Sequence, residues 1–149
     1  MASDNIILVS IDERFAASVS EERLAAIARR VLEAEDAPAC ELSIAVTDDE
    51  TVRSLNREYA GEDAVTDVLS FSQREGEELV PPPEGLPPLG EVVIAYPQAA
   101  RQAGERRHGA DEEVERLLVH GVLHLLGYDH AEPDEARRMR AREEALVRG

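Results

Sequence analysis

The apolar positions of the chain switch between two periods, and the switches mark out its elements. Ile6–Ile11 alternate loosely and are rich in β-branched side chains, which predicts a first strand. Leu24, Ile27, Ala28, Val31 and Leu32 then fall at i, i+3, i+4, i+7 and i+8, the stripe of an amphipathic helix packed on a core. Ser18 with Glu21 three residues on is a capping-box pattern that opens this helix, and Pro38 helps to end the segment. Leu42, Ile44 and Val46 return to period two as a second strand. Thr47 and Glu50 form another capping-box pair, opening a helix through Val52, Leu55 and Tyr59 that Gly61 closes.

Residues 65–71 read as a third strand and residues 91–95 as a fourth. Between them, residues 73–89 hold five prolines and four glutamates, the composition of a stiff, exposed loop. Pro97 opens a helix through Ala99, Ala100 and Ala103. Asp111 is placed to cap the next helix, whose buried stripe is Val114, Leu117, Leu118 and Leu125. Pro133 suits a first helical position and starts a last helix ending near Val147. No internal repeat is present. The order βα, βα, ββ, then helices predicts an α+β fold, a single domain on one small sheet with about five helices.

The stripe of the fourth helix carries an unusual passenger. Three of the four histidines fall within eleven residues, in His120-Gly-Val-Leu-His124-Leu-Leu-Gly127-Tyr-Asp-His130. His120 and His124 are one helical turn apart, about 40° in rotation and about 6 Å in rise, so two imidazoles can face one ion. Gly127 ends the helix in the left-handed conformation that glycine adopts without strain, and the turn through Tyr128 and Asp129 can return His130 to the same point. Three neutral imidazoles with a water in the fourth position make an open, catalytic zinc site. Zinc suits imidazole ligands, although nickel, copper or iron fit the same cage. The spacing H-x3-H-x2-G-x2-H is shared with the metzincin proteases, which carry glutamate after the first histidine as general base. Here that position is Gly121, so the cage is present without the base.

Composition narrows the functional classes. A chain of 149 residues with 43% hydrophobic content is long enough for one core. The absence of a long apolar run and of a basic-then-apolar leader predicts a cytoplasmic protein with no membrane role. Cys40 is the sole cysteine, which excludes an internal disulfide and a cysteine-based metal site; its apolar surroundings predict a buried thiol. The formal net charge is −16, and all sixteen basic residues are arginine. Such a surface repels nucleic acid at long range and suits basic partners such as ribosomal proteins.

With these motifs in view, the chain resembles the YbeY family of bacterial rRNA maturation factors. The resemblance rests on Leu55-Asn56-x-x-Tyr59, on Thr66-Asp67-Val68-Leu69-Ser70-Phe71, on Gly90-Glu91-Val92-Val93-Ile94 and on the string His120 to His130. It implies a small mixed four-stranded β-sheet surrounded by helices. It also implies a single-strand-directed endoribonuclease acting in small-subunit rRNA 3′-end maturation and ribosome quality control. Zinc would be held by His120, His124 and His130. The partners it implies are rRNA, the small ribosomal subunit with its proteins, and a ribosome-assembly GTPase. Glu91 stands where the family usually has aspartate, and one departure matters more: many members carry arginine after the tyrosine of L-N-x-x-Y, where it is implicated in cleavage, and here Ala60 stands there.

Further candidates follow from chemistry. Arg57, one turn before that position, and more weakly Arg53, are placed to replace the missing cation beside a scissile phosphate. Asp67 and Ser70 lie on the signature strand and are candidates to line a substrate cleft. Arg106 and Arg107, with Arg101, are candidates for a phosphate-binding patch, while His108 is off the ligand spacing. Asp129 can orient an imidazole or hold the turn. Cleavage by zinc hydroxide and attack by a ribose 2′-hydroxyl both remain open. Two rivals stand beside the ribonuclease: a metallopeptidase, opposed by Gly121, and a non-enzymatic, zinc-stabilised ribosome assembly factor, favoured by Ala60 and by the acidic surface.

Overall fold

The computed structural model describes residues 5–73, 86–128 and 132–148. Its elements in chain order are β1 (Ile6–Ile11), a short 3-10 turn (Glu13–Phe15), α1 (Glu21–Ala34), β2 (Glu41–Thr47) and α2 (Asp49–Ala60). There follow β3 (Val68–Ser72), β4 (Pro88–Ala95), α3 (Tyr96–Arg106), α4 (Ala110–Leu125) and α5 (Pro133–Arg148). The strands form one mixed sheet in the order β1-β2-β4-β3. β1 runs parallel to β2 and β2 to β4, while β3 lies antiparallel to β4. This is the α+β arrangement that the alternation of periods predicts.

Strand alternation sorts the core into two unequal layers. Leu42, Ile44, Val46, Val92 and Ile94 turn to one face, where they meet Leu24, Ile27, Val31 and Leu32 of α1 and Val114, Leu118 and Val122 of α4. Val93 and Ala95 turn to the other face, against Val52 and Leu55 of α2 and Leu69 and Phe71 of β3. From Val92 to Ala95 the inner strand β4 is buried on both faces, which explains the unbroken apolar run of those four residues. Cys40 is buried in the larger layer, as its neighbours predict. Met139 and Leu146 bring α5 against the same layer. Among the described residues, no helix is long and apolar enough to cross a membrane.

The boundaries differ from the sequence expectation at four points, each for a local reason. Ser20, not Ser18, caps α1, its hydroxyl accepting from the Arg23 amide; Val19 is buried before it and the chain is still turning at Ser18. Asp48, not Thr47, caps α2, because Thr47 is still paired in the sheet opposite Ala95. Asp111 lies in the first turn of α4 rather than capping it; the cap position is Gly109. Finally β4 begins at Pro88, inside the stretch read as loop, and β3 runs Val68–Ser72. Proline is tolerated at Pro88 because a strand's first residue need not donate. Residues 74–85 of that proline-rich stretch lie outside the described residues.

Asp48 does more than cap. Its carboxylate accepts from the Thr51 amide at 2.8 Å and pairs with Arg14 at 2.5 Å, tying α2 to the turn after β1. Hydrogen bonds from Thr51, and then from Arg14, lower its pKa to about 2. A carboxyl whose folded pKa is depressed stabilises the fold above its unfolded value, near 3.9, and loses that contribution as pH falls towards the folded value. Asp48→Ala is therefore expected to cost about 1 kcal/mol at neutral pH. The difference from the unsubstituted protein in urea unfolding should shrink below about pH 4 and vanish near pH 2. A difference that stays constant across this range would show that the carboxylate charge is not what caps the helix.

Candidate metal centre

α4 is enclosed on most of its surface. From Leu117 to Leu125 every residue is buried except His120, which is half-buried, and His124, which is exposed. The remaining open strip therefore holds the two histidines one turn apart, as their spacing predicts. The helix can sink this far because Gly121 has no side chain. A Cβ at that position would come within 2.7 Å of Val92 Cγ1 and 3.1 Å of Ser70 Oγ. Ser70 adds a hydrogen bond, its hydroxyl donating to the Gly121 carbonyl at 3.3 Å.

The end of α4 is shaped by Gly127 at φ +107°. The Gly127 amide donates to the His124 carbonyl and the Tyr128 amide to the Leu123 carbonyl, both at 3.1 Å. These are the two bonds of a Schellman stop. Tyr128 is then fixed by its hydroxyl, which donates to Glu35 Oε1 of α1 at 2.5 Å. Arg142 of α5 closes the same group, its Nε donating to Glu35 Oε2 at 2.9 Å. Tyr128's own hydrogen bond to Glu35, with burial, raises its pKa above the ordinary value. One acidic side chain thus joins α1, the turn and α5. Asp129 and His130 lie outside the described residues, and so the third expected ligand has no described position.

His120 has a partner that the sequence reading missed. Glu143 of α5, only 5% exposed, places Oε1 at 2.5 Å from His120 Nδ1. The signal was weak, because Glu143 stands in an Arg/Glu-rich helix that reads as a solvated face. Its position three and four residues from Met139 and Leu146, both buried, is what turns it inward. Two imidazoles share one face, and one has Nδ1 against a buried carboxylate, the pairing that a metal-ligating histidine commonly makes; among the described residues no group of three metal-ligating side chains is assembled.

The other candidates are dispersed. Arg57 is exposed on α2, in the layer across the sheet from α4, with its nearest carboxylate, Asp63, at 3.8 Å. Arg53 holds the same Asp63 at 2.7 Å. Asp67 accepts from the Val68 amide at 2.8 Å and from Gln102 Nε2 at 3.2 Å, fastening β3 to α3. Ser70 sits against α4 beside Gly121. Arg101 bridges to Asp49 of α2 at 2.6 Å. Arg106 and Arg107 lie at the α3–α4 junction, the latter in the left-handed cap position at φ 58°. That junction is about 15 Å of helical rise from His120. There His108 Nε2 lies 2.6 Å from Glu113, a fully buried carboxylate that Arg106 and Arg116 approach at 3.9 Å.

The family model described as Endoribonuclease YbeY matches residues 10–149. The chain belongs to the YbeY family. Relatives named Endoribonuclease YbeY include one from Pelotomaculum thermopropionicum, 49% identical over 121 residues, covering 80% of this chain and 79% of the relative. Another, from Chloroflexus aurantiacus, is 43% identical over 145 residues and covers 95% and 92%. The solution structure of TM1509 from Thermotoga maritima shares the fold, with a TM-score of 0.64 at 21% identity over 95% of this chain and 87% of that one.

Gly121→Ala is expected to lower unfolding free energy by about 1–3 kcal/mol, since the added methyl overpacks a helix–sheet contact. Urea unfolding of the metal-free protein measures this. Unchanged stability would mean that Val92 moves aside without cost and that the glycine is not needed for the close approach.

Proposed function

We propose that this chain is a metal-dependent endoribonuclease acting on single-stranded RNA, and that its cytoplasmic task is 3′-end maturation and quality control of small-subunit rRNA. The observation that carries the reading is the open strip of α4, where His120 and His124 are the two residues not buried between Leu117 and Leu125. Membership of a family whose relatives are named endoribonucleases gives that strip its substrate class. His120, His124 and His130 would hold one zinc ion, which when bound supplies Lewis acidity towards a phosphate oxygen and acidifies water.

The chain's own residues set the rest. Glu143 holds His120 at Nδ1, so the ring presents Nε2. Gly121 offers no carboxylate to act as base, and packing against Val92 prevents one from being accommodated without shifting the helix. This disfavours the peptidase reading. Arg57 is the nearest cation in sequence to the position of Ala60, but it would have to leave Asp63 to neutralise a phosphate. The acidic surface directs the protein to basic ribosomal proteins, with a ribosome-assembly GTPase as a further partner, and confines RNA contact to the site itself. A non-enzymatic assembly role is the second reading, favoured by Ala60 and by the net charge of −16.

The test is cleavage of a short single-stranded RNA by zinc-loaded protein beside His124→Ala purified identically. The unsubstituted protein is expected to cut, and His124→Ala to fall by at least about 100-fold, as loss of a ligand from a catalytic metal site does. A 2′,3′-cyclic phosphate on the products would identify the ribose 2′-hydroxyl as nucleophile. Equal activity in both proteins would overturn the zinc-dependent reading. Zinc binding without cleavage in either would select the assembly role.

A further inference from the structure

We propose that Glu143 is a positioning residue for the metal centre, fixing the tautomer and ring orientation of His120. The inference rests on the reading of His120 as a metal ligand, but not on the reaction the metal serves. Glu143 Oε1 lies 2.5 Å from His120 Nδ1, and as an ionised carboxylate it would only accept, which is why the proposal assigns the hydrogen to that nitrogen. The lone pair then lies on Nε2, the nitrogen that a metal needs. A histidine on an exposed helical strip otherwise rotates about two side-chain bonds and exchanges tautomers. Here one state is held.

Three features separate this pairing from an ordinary surface contact. Glu143 is 5% exposed although it carries a carboxylate, and an acid is rarely buried without a partner that repays its desolvation. It comes from α5, which reaches α4 through Met139 and Leu146 and is fastened to Glu35 by Arg142. Arg142 is the residue immediately before Glu143, so the Glu35 group that fixes the turn after α4 also fixes the backbone that carries Glu143. One connected set of side chains therefore governs both the orientation of His120 and the exit of α4 towards His130.

The inference concerns the metal-free protein as much as the loaded one, which makes it testable without RNA. Long-range proton–nitrogen NMR on the metal-free protein, at about pH 8 where an ordinary imidazole is neutral, reads which ring nitrogen of His120 bears hydrogen. The expected result is hydrogen on Nδ1 in the unsubstituted protein and predominantly on Nε2 in Glu143→Leu. Chelator competition with zinc is expected to give about 10- to 100-fold weaker binding for Glu143→Leu, the usual effect of removing such a partner. Glu143→Gln, which keeps an acceptor oxygen at the same reach, should recover part of that loss.

Hydrogen on Nε2 of His120 in the unsubstituted protein would overturn the proposal, and that measurement needs no variant to fold. Unaltered zinc affinity in a folded Glu143→Leu would overturn it as well. Weakened zinc binding in Glu143→Leu, in a protein that cuts no RNA under any condition, would sustain this inference while the ribonuclease reading failed.

Discussion

The close approach of α4 to the sheet is the constraint on which the site depends. A helix that packs on a sheet is held off by its own side chains, and Gly121 removes that spacer where α4 crosses Val92 and Ser70. The helix can then bury Leu117, Leu118, Val122, Leu123 and Leu125 at once, each worth about 1.5–3 kcal/mol when fully removed from water. With so much of the surface committed, rotation of α4 about its axis would expose leucine and bury imidazole. The direction of His120 and His124 is thus set by the apolar residues around them. The same constraint separates this site from zinc peptidases of like spacing, because the position at which they carry their base is here pressed against a strand.

A second layer of order is polar and lies between helices. Glu35, Tyr128 and Arg142 join α1, the stop of α4 and α5, and Glu143 reaches His120 from the next residue along. The exposed ion pair Arg53–Asp63 is screened by solvent and joins only α2 to the residues that follow it. The half-buried Glu35 group differs in consequence more than in strength. Removing any member leaves a carboxylate, a hydroxyl or a guanidinium with its hydrogen bonds unmade close to the metal strip. The charged residues that matter here are therefore the few that are turned inward.

The elements were legible in the sequence because each is written in its own apolar period. The stripe from Leu24 to Leu32, the alternation Leu42–Ile44–Val46 and the glycine stops at Gly61 and Gly127 all depend on residues close in the chain, and the structure realises them. Caps were less legible. Ser18 and Ser20, or Thr47 and Asp48, are all competent helix caps, and the choice is made by Val19 entering the core and by Thr47 pairing with Ala95. The hydrogen-bond partner of His120 was not legible at all. Nothing near residue 120 in sequence points to Glu143, and an acid among arginines reads as solvated until α5 is docked. The pair Glu113–His108 escaped for the same reason, since a fully buried glutamate in a first helical turn looks like a favourable dipole charge.

The acid surplus bears on how such a protein can meet a polyanion. Arg14, Arg23, Arg53, Arg101 and Arg142 are already held by carboxylates, so they present little uncompensated charge to a phosphate. The α3–α4 junction, where Arg106 and Arg107 lie, is about 15 Å of helix away from His120. On the proposed reading, long-range attraction of RNA is consequently poor, and affinity for naked RNA would have to arise beside His120 and His124. A basic partner changes this balance, because it neutralises the acidic surface while bringing RNA of its own to the site. On that argument the net charge of −16 and a ribonuclease centre are compatible, provided that the substrate arrives already bound to protein. On the proposed reading the charge would act as a selectivity device, discouraging free RNA and favouring RNA carried by a cationic particle.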